Sequence, residues 1–243
     1  MNSRPATRAL RPALLLAFTL LATAAEAAPP TVQDTMAQRM VACAVCHGPA
    51  GRAGPDGYYP RIAGKPAGYL YHQLLNFRDG RRHYGLMTQM VDRLSDDYLR
   101  EIAGYFAALE LPYPAPAPAT APPALIERGR QLVQHGDAAR GLPACVQCHG
   151  AAMTGVAPNV PGLLGLPRDY LNGQLGAWKT GQRRAHAPDC MAHVAQRLPD
   201  ADVAAVSGWL AAQPLPAEAK AVAQPPAGNT LACGSAPELG GAR

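Results

Sequence analysis

Two six-residue stretches place reactive side chains at one fixed spacing: Cys43-Ala-Val-Cys46-His47-Gly48 and Cys145-Val-Gln-Cys148-His149-Gly150. In C-x-x-C-H two thiols stand three positions apart and an imidazole follows directly, the spacing that attaches a c-type haem. Cys43 with Cys46, and Cys145 with Cys148, can each form thioethers to the two vinyl groups of one macrocycle. His47 or His149 then lies under the iron and ligates it. A zinc site assembled from both stretches is the rival chemistry. Each stretch carries its own His and has further candidate ligands downstream, which speaks for two separate haems.

Each iron needs a sixth ligand or keeps an open position. Met87, Met90 and His83 are the candidates after the first motif; Met191 follows the second, with His186 and His193 as rivals. Met153 lies four residues after His149, too close to the proximal side to reach across a ring. A thioether ligand favours Fe(II) and raises the potential. With both axial positions filled by protein, such an iron suits electron transfer more than bond chemistry.

The elements that must position these groups occur twice. Tyr59-Pro60-Arg61-Ile62-Ala63-Gly64 pairs with Val160-Pro161-Gly162-Leu163-Leu164-Gly165. Tyr69, Gln73, Gly80 and Arg82 pair with Tyr170, Gln174, Gly181 and Arg183, and Met87 pairs with Met191. A repeated order of this kind means two copies of one domain. Each copy reads as helical: a first helix into the motif (about 32–42 and 123–135), a middle helix (about 66–79 and 168–180) and a last helix opening near Ser95 or Asp200. Ser95 is a good N-cap, and Leu99, Ile102, Ala103 and Phe106 form one apolar stripe. Gly and Pro dominate residues 48–60, and no alternating strand pattern stands out.

Six of the twelve residues 112–123 are proline, which stops a helix and favours an extended connector. The chain therefore divides into a leader at 1–27, a first domain at 28–111, a linker at 112–123, a second domain at 124–213 and an extension at 214–243. In the leader, Arg4, Arg8 and Arg11 precede an apolar run, and Ala25-Glu26-Ala27 fits a cleavage site, so export across a membrane is expected. Losing 1–27 removes three Arg and one Glu and moves the formal charge from +5 to +3. That mild balance does not suggest nucleic acid, and no segment of the mature chain is long and apolar enough to span a membrane. Two cysteines remain, Cys190 and Cys233, and an exported chain can keep them as a disulfide. The bridge would tie the Pro/Ala-rich tail beside Met191; closing such a loop is worth roughly 4 kcal/mol at most in the chain-entropy model.

The paired C-x-x-C-H-G motifs, each followed by x-P-x-x-x-G, a Y-x3-Q-L helix, a methionine loop and a final helix, resemble the dihaem cytochrome c4 family over residues 36–213. The resemblance implies an all-α fold of two tandem class I cytochrome c domains, each a few helices around a covalent haem, facing each other across the interface. It places the sixth ligands at Met87 and Met191 and assigns the carbonyls of Pro60 and Pro161 to the ligating imidazoles. It implies an electron-transfer protein of the periplasm, not an enzyme. A donor such as a quinol-oxidising complex or a dehydrogenase would supply it, and an acceptor such as a terminal oxidase would drain it. Service as the electron-accepting partner or subunit of a periplasmic dehydrogenase is the second reading, and a dihaem peroxidase the third. Two departures stand out: the first copy lacks the helix glycine that Gly129 supplies in the second, and the tail beyond Gln213 is additional. The helix face of Tyr69, Gln73 and Phe77, with Tyr170, Gln174 and Trp178, fits either core packing or contact with haem propionates. Arg78, Arg81, Arg82, Arg183 and Arg184 could pair propionates, meet an acidic partner or lie solvated.

Overall fold

A computed structural model describes residues 33–54, 57–116, 118–229 and 231–240. The expected leader lies outside the described residues. Residues 34–243 form one compact unit, almost wholly helical in its regular structure.

The first copy contains α1 (Met36–Arg39), α2 (Val41–His47), α3 (Ala67–Arg78), α4 (Gly85–Val91) and α5 (Asp96–Ala107). As expected, Ser95 caps α5: its Oγ accepts from the Tyr98 N–H at 3.2 Å, while Asp96 and Asp97 face the positive end of the helix. Leu99, Ile102, Ala103 and Phe106 turn inward together, against Met40, Leu70 and Phe77. The single first helix expected here is instead two short ones broken at Met40, and α2 runs through the haem motif itself.

The second copy contains α6 (Pro123–His135), α7 (Val146–His149), β1 (Gly155–Val156), β2 (Val160–Pro161), α8 (Arg168–Lys179), α9 (Cys190–Gln196) and α10 (Asp200–Ala211). Here α6 is a full 13-residue helix packed along α10. Gly129 allows that crossing: a Cβ at this position would stand 2.1 Å from the Ala205 carbonyl oxygen. Without an equivalent glycine, α1 meets α5 only briefly. Leu132, Val133, Leu198, Val206 and Leu210 fill the second core, and Met153 belongs to it.

Two expectations change. The methionine segments are not loops but short helices of about two turns, α4 and α9. Asp189 caps α9 by accepting from the Ala192 N–H at 3.0 Å. The stretch after the second motif also forms a small antiparallel hairpin, pairing Gly155 with Pro161 and Val156 with Val160. Two-residue strands are too short for an alternating pattern to appear in sequence.

Among its described residues, the proline-rich linker is free of helix up to Pro123, as expected. Its first residues are not loose. Buried Arg61 donates to the carbonyls of Leu111 and Pro112, and its guanidinium lies 3.8 Å from the centre of the Tyr113 ring.

Candidate haem sites

Both motifs end helices whose last residue is a buried histidine. His47 closes α2, and His149 closes α7. The next residue leaves the helix at φ 74° in Gly48. A Cβ there would press to 2.2 Å on the Ala53 carbonyl, which explains the glycine of the motif. Each imidazole Nδ1 meets a proline carbonyl: His47 with Pro60 at 2.9 Å, His149 with Pro161 at 2.8 Å. An Nδ1–H donated to a carbonyl leaves the Nε2 lone pair of the neutral ring free for iron. Burial lowers both histidine pKa values and favours that neutral form, against the opposing pull of the proline carbonyls.

The paired thiols belong to the same short helical segments. Cys43, Cys46, Cys145 and Cys148 are all half-buried and unbridged. Burial raises the Cys43 and Cys148 thiols and pushes Cys145 up to about 12. Among the described residues, no three His, Cys, Asp or Glu side chains converge as a metal cage.

On the sixth-ligand side the two methionines of α4 differ. Met87 packs against the first core, whereas Met90 is 49% exposed. Met191 is half-buried in α9, directly after the bridged Cys190. His83 is exposed, and the His186 ring lies 5.6 Å from the ring of His72.

The third group of sequence candidates does something the spacing did not announce. Arg82 donates to Gln73 and Gln174 at 3.0 and 2.6 Å; Arg183 donates to Gln174 and Gln73 at 2.7 and 3.0 Å. The two backbones bridge antiparallel at Arg82 and Arg183. The His83 N–H reaches the Gln182 carbonyl, and the Arg184 N–H reaches that of Arg81. Phe77 lies under Arg82 and Trp178 under Arg183, at 4.5 and 3.8 Å. One copy's helix face therefore clasps the other's by a local twofold. The constant offset between the copies was the available signal. Two other arginines of the set are plain ion-pair formers, Arg78 with Asp79 and Asp96, and Arg81 with Asp79.

This junction leaves charge unmatched. Arg183 is buried, yet neither it nor Arg82 has a carboxylate partner among the described residues. Trp178 Nε1 is a buried donor with no acceptor. Buried cations need anions close by, and a haem brings two propionates. Lys65 adds a further cation. It reaches out of the first copy to donate to the Gly162 carbonyl at 3.1 Å, one residue beyond the Pro161 carbonyl that holds His149. Burial, then the neighbouring Arg61, push its pKa down to about 8. The donor set and the unmatched cations both fit two haems.

Sequence comparison agrees. Over 173 residues the chain is 42% identical to the thiosulfate dehydrogenase electron acceptor of Thiomonas intermedia, covering 71% of this chain and 79% of that one. Over 170 residues it is 33% identical to cytochrome c4 of Pseudomonas aeruginosa, covering 69% and 82%. The chain belongs to the cytochrome c4 family. It is an electron-transfer protein, not an enzyme, and it carries two covalent haem c groups. The reduced recombinant cytochrome c4 of Pseudomonas stutzeri superimposes with a TM-score of 0.60 at 30% identity, covering 71% of this chain and 93% of that one, so the all-α dihaem class I fold holds. A thiosulfate dehydrogenase of Marichromatium purpuratum gives a TM-score of 0.64 at 35% identity. There the match covers 71% of this chain and about a third (36%) of the longer one. No family model matches the chain.

The leftover cysteines pair as expected. Cys190 and Cys233 form a disulfide with Cα atoms 4.9 Å apart. No helix among the described residues is long and apolar enough to cross a membrane.

Proposed function

We propose that this chain is a periplasmic electron acceptor for a dehydrogenase that oxidises thiosulfate, passing the electrons on to an acceptor such as a terminal oxidase. The observation that carries this reading is the 42% identity to a thiosulfate dehydrogenase electron acceptor over 173 residues, a length that exceeds either domain alone. It favours the dehydrogenase reading over service to a quinol-oxidising complex. Export by residues 1–27 puts the chain in the compartment where a c-type cytochrome meets such a partner. The division into domains at 28–111 and 124–213, joined by 112–123 and extended by 214–243, is part of the same proposal.

Within each domain the residues take stated roles. Cys43 and Cys46 hold the first haem by thioethers, and Cys145 and Cys148 hold the second. His47 and His149 ligate through Nε2, fixed in tautomer and orientation by the carbonyls of Pro60 and Pro161. Met87 and Met191 fill the far side; the inward packing of Met87 and the exposure of Met90 support that choice within α4. When bound, the haems supply reversible one-electron Fe(III)/Fe(II) chemistry. The chain's own part is to exclude water, keep the ligands still between redox states and hold cations near the centres. Each of these limits the rearrangement that an electron must wait for.

The test is anaerobic mixing of the oxidised holoprotein with thiosulfate and a purified thiosulfate dehydrogenase. Full reduction of both haems, seen in the visible spectrum, is expected. Absence of reduction, with rapid reduction by a quinol-oxidising complex instead, would move the donor. Met87→Ala is expected to abolish half of the near-infrared sulfur–iron band and Met90→Ala to leave it whole; the reverse would overturn the ligand choice.

A further inference from the structure

The two copies are alike inside and unlike outside. In the first, among the described residues, several large apolar side chains around the haem motif are exposed. Val45, between the two thiols, is 80% exposed, and Val41 projects one turn earlier on the same face of α2. Leu86 and Met90 repeat that i, i+4 arrangement on α4, and the exposed Tyr58 ring lies 6.1 Å from that of Tyr84. Scattered apolar residues on a surface need no explanation, but a cluster at one functional edge does.

In the second copy the equivalent positions are covered or polar. The duplication pairs Leu86 with Cys190, Tyr58 with Asn159, and Val45 with Gln147. Cys190 is bridged to Cys233 in the C-terminal extension. Asn159 donates to Glu238 of that extension at 3.0 Å. The extension adds Val222 as a parallel bridge to Val156, with bonds of 2.8 and 3.0 Å to Ala157 and Gly155. Its Ala236 and Leu239 are buried against Val156 and Val160, and the haem-attaching Cys148 packs on this cluster. A segment of polypeptide, apolar at its centre, thus lies on the second copy beside Cys190 and Asn159, the counterparts of the exposed Leu86 and Tyr58.

We propose that the bare face of the first copy is the docking site of the electron-donating protein, and that the C-terminal extension closes the corresponding face of the second copy. That donor would then meet the chain at the first copy and be kept from the second by the extension. This rests on the dehydrogenase reading above for the identity of the donor, not for the location of the face. The occupant is a protein that meets it with apolar surface, because an apolar segment of this chain's own polypeptide covers the quasi-equivalent position. A face of a few side chains suits a short-lived encounter, since electron-transfer complexes bury little surface. Contact of this kind predicts an association rate that changes little with ionic strength.

Two measurements on the full-length holoprotein test this. In the first, thiosulfate and thiosulfate dehydrogenase reduce the wild type, Val45→Glu and Gln147→Glu. Val45→Glu is expected to slow reduction at least tenfold with both potentials unchanged, and Gln147→Glu to leave the rate as it was. Equal slowing by both, or by neither, overturns the proposal. In the second, a soluble gadolinium chelate broadens haem methyl resonances. Those of the first haem are expected to broaden strongly and those of the second to be protected until residues 217–243 are removed with Cys190→Ser. Equal broadening in the wild type overturns the proposal even if the truncated chain fails to fold. If the dehydrogenase does not reduce the wild type at all, the donor assignment falls while the chelate experiment still decides the face. A dimer in sedimentation that Val45→Glu splits would give the face to a second copy and overturn the docking assignment.

Discussion

Replacing Gly129 by Ala sets two effects of opposite sign against each other. In an exposed helix interior, Gly to Ala stabilises by about 1 kcal/mol, because the backbone loses less freedom on folding. At Gly129 the added Cβ would stand 2.1 Å from the Ala205 carbonyl oxygen and 2.8 Å from the Trp209 Cβ, both on α10. Ordinary contact starts near 3.4 Å, so α6 and α10 must separate by roughly 1 Å along much of their crossing, loosening Leu132 and Val133 against Val206 and Leu210. Overpacking of this kind costs about 1–3 kcal/mol, and the partner atom here is backbone that cannot rotate away. The net expectation is a loss of up to about 2 kcal/mol, or roughly up to 15 °C in the melting of a domain of this size. Gly104 is the control: it is exposed in α5, and a Cβ there would meet nothing within 4 Å, so Gly104→Ala is expected to raise stability by about 1 kcal/mol. Calorimetry of the holoprotein reads both. A Gly129→Ala protein that melts at or above the wild-type temperature would refute the close helix crossing as the reason for this glycine.

Three further outcomes are expected. Lys65→Met removes a buried cation near the His149 side and should lower the potential of the second haem while sparing the first; spectroelectrochemical titration checks it, and an equal shift of both would refute the local origin. Asp202 is held below the usual carboxylate range, chiefly by the Arg128 guanidinium at 3.0 Å and also by Arg140. A depressed carboxyl pKa contributes stability above about pH 4 that is lost as pH falls through the folded value. Asp202→Asn should therefore be less stable at neutral pH and flatten the fall in acid, as urea titrations at pH 7 and pH 3 would show. Cys233→Ser should free the extension, so that amides of residues 234–239 exchange faster and the second domain melts lower while the Met87 side is unaltered. Unchanged exchange would mean that the Val222 bridge and Leu239 hold the tail without the disulfide.

Much of the molecule was legible in the residues because its chemistry is local. The haem motifs are contiguous, so spacing alone brings two thiols and an imidazole to one short stretch of helix. The helices around them follow from caps and apolar stripes: Ser95 starts α5, and Leu99 to Phe106 choose its inner face. Cys190 and Cys233 could be paired by count, since four of six cysteines had a use. What chain order could not supply was anything made between the copies or by the tail. Gln73 and Gln174 read equally well as packing or propionate donors. Only the folded junction shows each of them accepting from both Arg82 and Arg183. Lys65 and Gly162 are 97 positions apart, and no local pattern marks a lysine that will be buried against another domain's carbonyl. The short α4 and α9, the two-residue hairpin and the bare face of Val45 depend likewise on what packs next to them. Periodicity reports which face of an element is apolar. The tertiary structure alone decides whether that face meets the core, the other copy, the chain's own end or nothing.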